Sequence, residues 1–343
     1  MSSLDTSSKL MQRGIDRRRF LMGSAALSAV GGLLLACSKR SSVADLPVLR
    51  VSTVGKGEAD MRLLQSAASI QADSFRVDYS NFASGQLVIE ALDGGALDCG
   101  NMSEIPPVFA AASTIHSFRQ IGVLHGDVNN QVVLVPRGSA VTSLADLKGK
   151  RVGYVRATTS QYFLVRMLQS VHLSWSDITP IPMGVSDGLA AFSNGQLDAW
   201  AIYGYPIQRA MATEGARILK TALGFLSGNY IISAHIDALA DAVKSRLIGE
   251  YLQLCKRAFA WGFGHEPQWT TLIAKDIGVP LEYVQDQFRR RSDSYELRPV
   301  DETAIASQQN VADVFAQQGL IPKPVDVRPL WDDRFNTIIT EKA

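Results

Sequence analysis

Histidine and cysteine are scarce in this chain of 343 residues, which has five of the first and three of the second. His116, His125, His172, His235 and His265 are scattered, with no HxxxH or HxH spacing, and neither Cys99 nor Cys255 has a CxxC partner. No metal site is expected from such spacing, and no cofactor. For Cys99 and Cys255 two readings stay open, a disulfide formed in an oxidising compartment or two buried thiols. An excess of one charge is lacking too: the net charge is +1, which gives no reason to expect nucleic acid as a partner. The apolar run Phe20 to Ala36 is 17 residues with Gly23, Gly31 and Gly32 inside it, short for a membrane-spanning helix.

With 46% hydrophobic and 20% charged residues, the chain can build a sizeable core and is expected to form two lobes. Its basic character sits at the start. Residues 1–36 hold Lys9, Arg13, Arg17, Arg18 and Arg19 against Asp5 and Asp16, a surplus of three, so the remainder carries about −2. Arg17-Arg18 followed by Phe20-Leu21 resembles a twin-arginine export signal, although Asp16 and Met22 depart from it. Leu34-Leu35-Ala36-Cys37 resembles a bacterial lipobox, which implies cleavage before Cys37 and acylation of its thiol. The other reading is an uncleaved anchor helix with an incidental cysteine. Residues 1–36 are thus expected to be a signal peptide and 37–47 a tether.

The chain is organised around the stretch from Val77 to Ala110. Val77-Asp78-Tyr79 reads as a strand, and Ser84-Gly85-Gln86 opens a helix with Leu87, Val88, Ala91 and Leu92 at helical spacing. Gly94-Gly95 stops it, Ala96 to Gly100 reads as a second strand, and Ser103-Glu104-Ile105-Pro106-Pro107 starts another helix with prolines in its first turn. Two helix N-termini following two strands would gather amide donors and positive dipole ends at the carboxyl edge of a sheet, ready for an anion.

Further strands are read at Leu49–Val54, Gln120–Leu124 and Gln131–Pro136, the last as the route to the second lobe. Lys56, where the first strand meets its loop, either reaches a negative ligand or is a solvated lysine. Thr158 and Thr159 start a helix whose apolar side includes Phe163, Leu164, Met167 and Leu168, and offer a third donor cluster beside ordinary capping. Residues 89–99 echo residues 189–199 at a constant offset, with Ala, Gly, Leu and Asp recurring. Asp98 and Asp198, early in their strands, are read as tying down backbone amides. Tyr203 closes the second of these strands, where an aromatic can wall a cleft or join the core. The remainder reads as helices at 241–263, 267–277, 281–290 and 302–318.

In order along the chain, residues 82–110 (FASGQLVIEALDGGALDCGNMSEIPPVFA), 143–154, 158–168, 194–200 (NGQLDAW) and 305–327 resemble the solute-binding lipoproteins of ABC importers in the aliphatic sulfonate, taurine and nitrate group. The resemblance implies an α/β fold of the type II periplasmic binding class, two lobes joined by two hinge crossovers that close on a ligand. Its lobes would be 48–136, then 137–233, then a return over 234–343. Carried over by position, the cleft would be lined by Lys56, Ser84, Gly85, Ser103, Glu104, Thr158, Thr159, Tyr203 and Asn229. It further implies a monomer without enzymatic activity, exported, anchored through Cys37, and presenting a small organic anion, most of all an aliphatic sulfonate, to an inner-membrane permease. Glu104 is awkward beside a sulfonate and would meet a ligand hydroxyl or amine, or pair with Lys56 or Arg156. Gln161 and Tyr203-Gly204 stand where the group often has His and Trp-Asp, which leaves the ligand open. Nitrate, bicarbonate or thiamine-precursor binding, an enzyme on the same fold such as a pyrimidine synthase, and a sensory module are the rival readings.

Overall fold

The computed structural model describes residues 46–113 and 115–341. The expected signal peptide, Cys37 and most of the tether lie outside the described residues. Two mixed sheets form the frame. The first contains β1 (Val48–Val54), β2 (Arg76–Phe82), β3 (Cys99–Ser103), β4 (Phe118–His125), β10 (Asn229–His235) and β11 (Glu296–Arg298), in the order β11-β4-β10-β3-β1-β2. The second contains β5 (Gln131–Val135), β6 (Arg151–Tyr154), β7 (Thr179–Pro182), β8 (Ala199–Tyr203) and β9 (Arg217–Thr221), in the order β7-β6-β8-β5-β9.

Besides β4, which runs against β11 and β10, one strand in each sheet runs against both of its neighbours: β10 between β3 and β4, and β5 between β8 and β9. β10 and β5 each arrive directly from the other sheet, so the chain crosses over twice, after β4 and again before β10. The two crossing segments touch, with the Gly126 amide donating to the Gly228 carbonyl at 3.0 Å. Gly228 has a φ of +84°, and a Cβ there would stand 2.8 Å from the Gly126 oxygen, so only glycine lets the two segments lie this close. The strand pairing moves the expected lobe limits at 136/137 and 233/234. Gln131–Val135 is not the link but already a strand of the second sheet, between β8 and β9, and Asn229–His235 already belongs to the first. Both are buried apolar runs whose composition cannot tell which sheet they complete; cross-strand partners decide that.

Between the strands run α1 (Met61–Ala68), α2 (Gly85–Asp93), α3 (Ile105–Ala111), α4 (Thr159–Ser170), α5 (Val185–Ser193) and α6 (Pro206–Glu214). The C-terminal part is mostly helical: α7 (Ile236–Ala240), α8 (Ala242–Gly264), α9 (Glu266–Ile277), α10 (Leu281–Arg290), α11 (Glu302–Gln317) and α12 (Asn336–Thr340). Of the four long helices expected here, 281–290 stands as read and the other three differ by one residue at one end or both; α8 begins one residue later because Asp241 is its cap rather than helix. The strand expected at Ala96–Gly100 begins three residues later, at Cys99. Asp98 is held out of it: its amide donates to the Arg50 carbonyl at 2.9 Å while its carboxylate receives Arg50.

Apolar layers cover both faces of each sheet. α1, α8 and α9 bring Leu64, Leu247, Leu252 and Trp269 against one face of the first sheet, and α2, α3 and α11 bring Val88, Leu92, Val108 and Phe315 against the other. Phe163, Leu164, Met167 and Leu168 of α4 are buried on the second sheet, with Trp200 and Phe192 on its opposite face. Each such side chain contributes about 1.5–3 kcal/mol by leaving water. Cys99 and Cys255 are both free and buried in the first core, the second of the two readings of the sequence. Among the described residues no helix is long and apolar enough to cross a membrane.

Candidate functional site

The parallel strands of both sheets end at one cavity of about 380 Å³. Val54, Ser103 and Tyr203 bring the carboxyl ends of β1, β3 and β8 to it, while Gln131 and Tyr230 bring the starts of the reversed strands β5 and β10. Helix N-termini follow from that geometry, because each helix leaves the edge its strand has reached. Gly85 of α2, Thr159 of α4, Ser186 of α5 and Pro206 of α6 all line the cavity.

Two of these starts are ready to hold an anion. Ser84 caps α2 and Thr158 caps α4 in extended backbone, and neither side chain bonds the helix's first amides. The Thr158 hydroxyl donates to the Val155 carbonyl at 2.7 Å. The opening amides and the positive dipole ends therefore face the cavity without a side-chain acceptor of their own. Gly85 is required by packing: a Cβ there would fall 2.7 Å from Met102 Cβ and 2.8 Å from Pro106 Cγ. Glycine lets α2 settle directly on the end of β3.

Of the nine residues expected in the cleft, Lys56, Gly85, Ser103, Thr158, Thr159 and Tyr203 line the cavity. Lys56 does so with its ammonium turned away, donating to the Asp276 carbonyl at 3.0 Å. Ser84 stands one residue back. Glu104 and Asn229 do not line the cavity. Glu104 precedes α3, where its side chain turns into the protein, 2% exposed, and receives the hydroxyls of Ser227 at 2.5 Å and Ser307 at 3.0 Å. It pairs with neither Lys56 nor Arg156; it ties the second crossover to α11. Burial pushes its carboxyl up to about 7 despite those donors. Asn229 shares this cluster and meets His125 Nδ1 at 3.1 Å through Oδ1.

Sequence reasoning missed Gln131, Tyr230, Tyr295 and Glu58, which line the same cavity. The start of an antiparallel strand lies at the edge where parallel strands end, so the strand order, once known, would have placed Gln131 and Tyr230. Tyr295 comes from the segment just before β11 and has no local signal. Burial pushes the Glu58 carboxyl up to about 8, aided by the nearby carboxylates of Asp127 and Glu266 and opposed by Arg291, whose Nη1 lies 3.5 Å from Glu58 Oε1. No group of histidines, cysteines and carboxylates able to hold a metal is found among the described residues.

A family profile described as NMT1/THI5 like matches residues 76–223. An aliphatic sulfonates-binding protein of Escherichia coli (strain K12) is 30% identical over 280 residues, which are 80% of this chain and 86% of that protein. Among solved structures, the alkanesulfonate-binding protein SsuA of Xanthomonas axonopodis pv. citri, bound to MOPS, superposes with a TM-score of 0.72 and 27% identity over 83% of this chain and 98% of that one. The desulfurization enzyme DSZB superposes at 0.59 with 16% identity over 85% of this chain and 98% of that one, a likeness of fold alone. Identity at that level over most of both chains, with two sheets exchanging one reversed strand each, shows that the chain belongs to the family of the aliphatic sulfonates-binding proteins and has their periplasmic binding protein fold.

Proposed function

We propose that this protein is the solute-binding component of an ABC importer and that it takes an aliphatic sulfonate in the cavity between its two sheets. The observation that carries the reading is the convergence of α2 from the first sheet and α4 from the second, both with uncapped first turns, on one cavity. A sulfonate spreads one charge over three oxygens, which suits several amide donors better than one cation. Such charge-assisted bonds contribute roughly 1.5–3 kcal/mol each. Met102, Val185 and Tyr205 give the same cavity an apolar side for a carbon chain.

A volume of about 380 Å³ exceeds what nitrate or bicarbonate needs, which favours an organic anion. Neither cysteine nor histidine lines the cavity among the described residues, which favours binding without covalent chemistry. In this reading the protein works as an exported monomer. A twin-arginine-like signal directs it, acylated Cys37 anchors it, and the closed form is presented to a permease. The test is a melting-temperature and calorimetric screen of the purified protein against short alkanesulfonates, sulfate, nitrate and a thiamine precursor. A ligand at 100 times its Kd adds about 2.7 kcal/mol of stability. Sulfonates should raise the melting temperature; a response to a neutral or cationic metabolite with none to sulfonates would reject the assignment.

A further inference from the structure

Gln131 opens β5, Tyr203 closes β8, and the two are register partners across that antiparallel pair, both at the cavity wall. Directly opposed residues put their side chains on the same face. Each carries a buried polar atom that makes no hydrogen bond of good geometry among the described residues, Oε1 of Gln131 and the hydroxyl of Tyr203, the latter beside Thr158. Gln131 as a whole is only 3% exposed.

The orientation of the Gln131 amide follows from its neighbours. The Tyr230 hydroxyl donates its single proton to the Asp127 carbonyl at 3.1 Å. It can then only accept from Gln131, at 2.8 Å, so the group facing it must be the Nε2 amine. Oε1 is left as a buried acceptor without a partner, on a residue that lines the cavity. A sulfonate cannot satisfy it, because sulfonate oxygens only accept. An alkyl chain would leave it unmatched, whereas a donor on the ligand would relieve that cost.

We infer that the bound sulfonate carries a hydrogen-bond donor on its carbon tail, a hydroxyl or an ammonium group received by Gln131 Oε1 beside the Tyr203 hydroxyl, and that this pair discriminates against plain alkanesulfonates. The inference rests on the proposed anion binding and narrows its substrate class. A hydroxyl would donate to Gln131 and accept from Tyr203; an ammonium would donate to both.

The experiment measures by calorimetry the affinities of 2-hydroxyethanesulfonate, 2-aminoethanesulfonate and propane-1-sulfonate, matched in size, for the purified protein. One or both donor-bearing sulfonates should bind about ten-fold tighter than propane-1-sulfonate, and the better arm distinguishes hydroxyl from ammonium. Gln131→Met should bring the ratio of their affinities to that of propane-1-sulfonate close to one. Tyr230→Phe, which frees the amide to turn, should shrink it, so a poorly folded Gln131 variant does not leave the role of that side chain unread. Sulfonate binding with a preference under about three-fold overturns the inference and leaves anion binding standing. Failure of all three sulfonates to bind overturns both.

Discussion

Arg50 grips Asp98 as a two-pronged fork, Nη2 to Oδ1 at 2.7 Å and Nε to Oδ2 at 3.2 Å, while the Arg50 amide donates to the same Oδ2 at 2.9 Å. Arg151 and Asp198 repeat the arrangement in the second sheet, at 2.9, 3.1 and 2.8 Å. In both, the arginine also reaches the carbonyl of the glycine that ends the preceding helix, Gly95 or Gly195. One device thus fixes helix, turn and strand in each half, which sets the height at which the strands reach the cavity.

The two clamps differ in depth. Asp98 is buried and also receives Lys244 at 2.7 Å, whereas Asp198 is about one-third exposed with a single partner. Burial works against ionisation of Asp98, but Arg50 and Lys244 outweigh it and hold the carboxyl at about 2. That stabilisation, about 2 kcal/mol, is present above the ordinary carboxylate value and is lost as pH falls toward 2. Asp98→Asn should therefore cost about 3 kcal/mol in equilibrium denaturation at pH 7, and Asp198→Asn less than about 1. Equal losses would show that depth is not what separates them.

The repeated clamp marks how far the sequence could be read. Recurrence of Gly and Asp at a fixed offset exposed two similar units, and helical spacing exposed the four long C-terminal helices, because both signals are local. Gly85 and Thr159 were legible for the same reason: a helix start after a strand fixes which edge it occupies. Assignment of β5 and β10 to sheets was not legible, since pairing is decided between residues far apart in sequence, such as Gln131 with Tyr203 and Tyr230 with Ser103. Gln131 and Tyr295 were missed with it. Glu104 sat in a helix-start pattern, yet its side chain turns inward, where the hydroxyl of Ser307 of α11, distant in sequence, donates to it.

Gly85→Ala tests whether the seat of α2 governs binding. The added methyl would overlap Met102 and Pro106, so the first turn of α2 must lift away from β3. Loss of one well-placed amide donor to an anion corresponds to roughly ten-fold or more in affinity. Calorimetry should show that loss for the best sulfonate. Unchanged affinity with a lowered melting temperature would make Gly85 a packing residue only.

Lys56→Ala should change sulfonate affinity by less than about three-fold, because its ammonium serves Asp276, which also approaches it at 3.5 Å through Oδ2. Affinity should also depend weakly on salt between low and moderate ionic strength, since amide dipoles in a partly enclosed cavity are screened little. A large loss in the variant would mean that Lys56 swings onto the ligand when the lobes close.

Glu104 gives a pH signature. Its carboxyl is buried and raised from 4.5 to about 7, so the folded protein holds that proton more firmly than the unfolded chain. The stability it contributes is fully present below 4.5 and is lost as pH rises through 7, a change of about 3 kcal/mol. Glu104→Gln keeps the shape and removes the charge. The unfolding free energy of the variant minus that of the parent should rise across that window and level off on either side. Taking the difference cancels Glu58 and every other titrating group that the two proteins share. A difference that stays flat between pH 4 and 8 would mean that Ser227 and Ser307 stabilise the ionised carboxylate as well as water does.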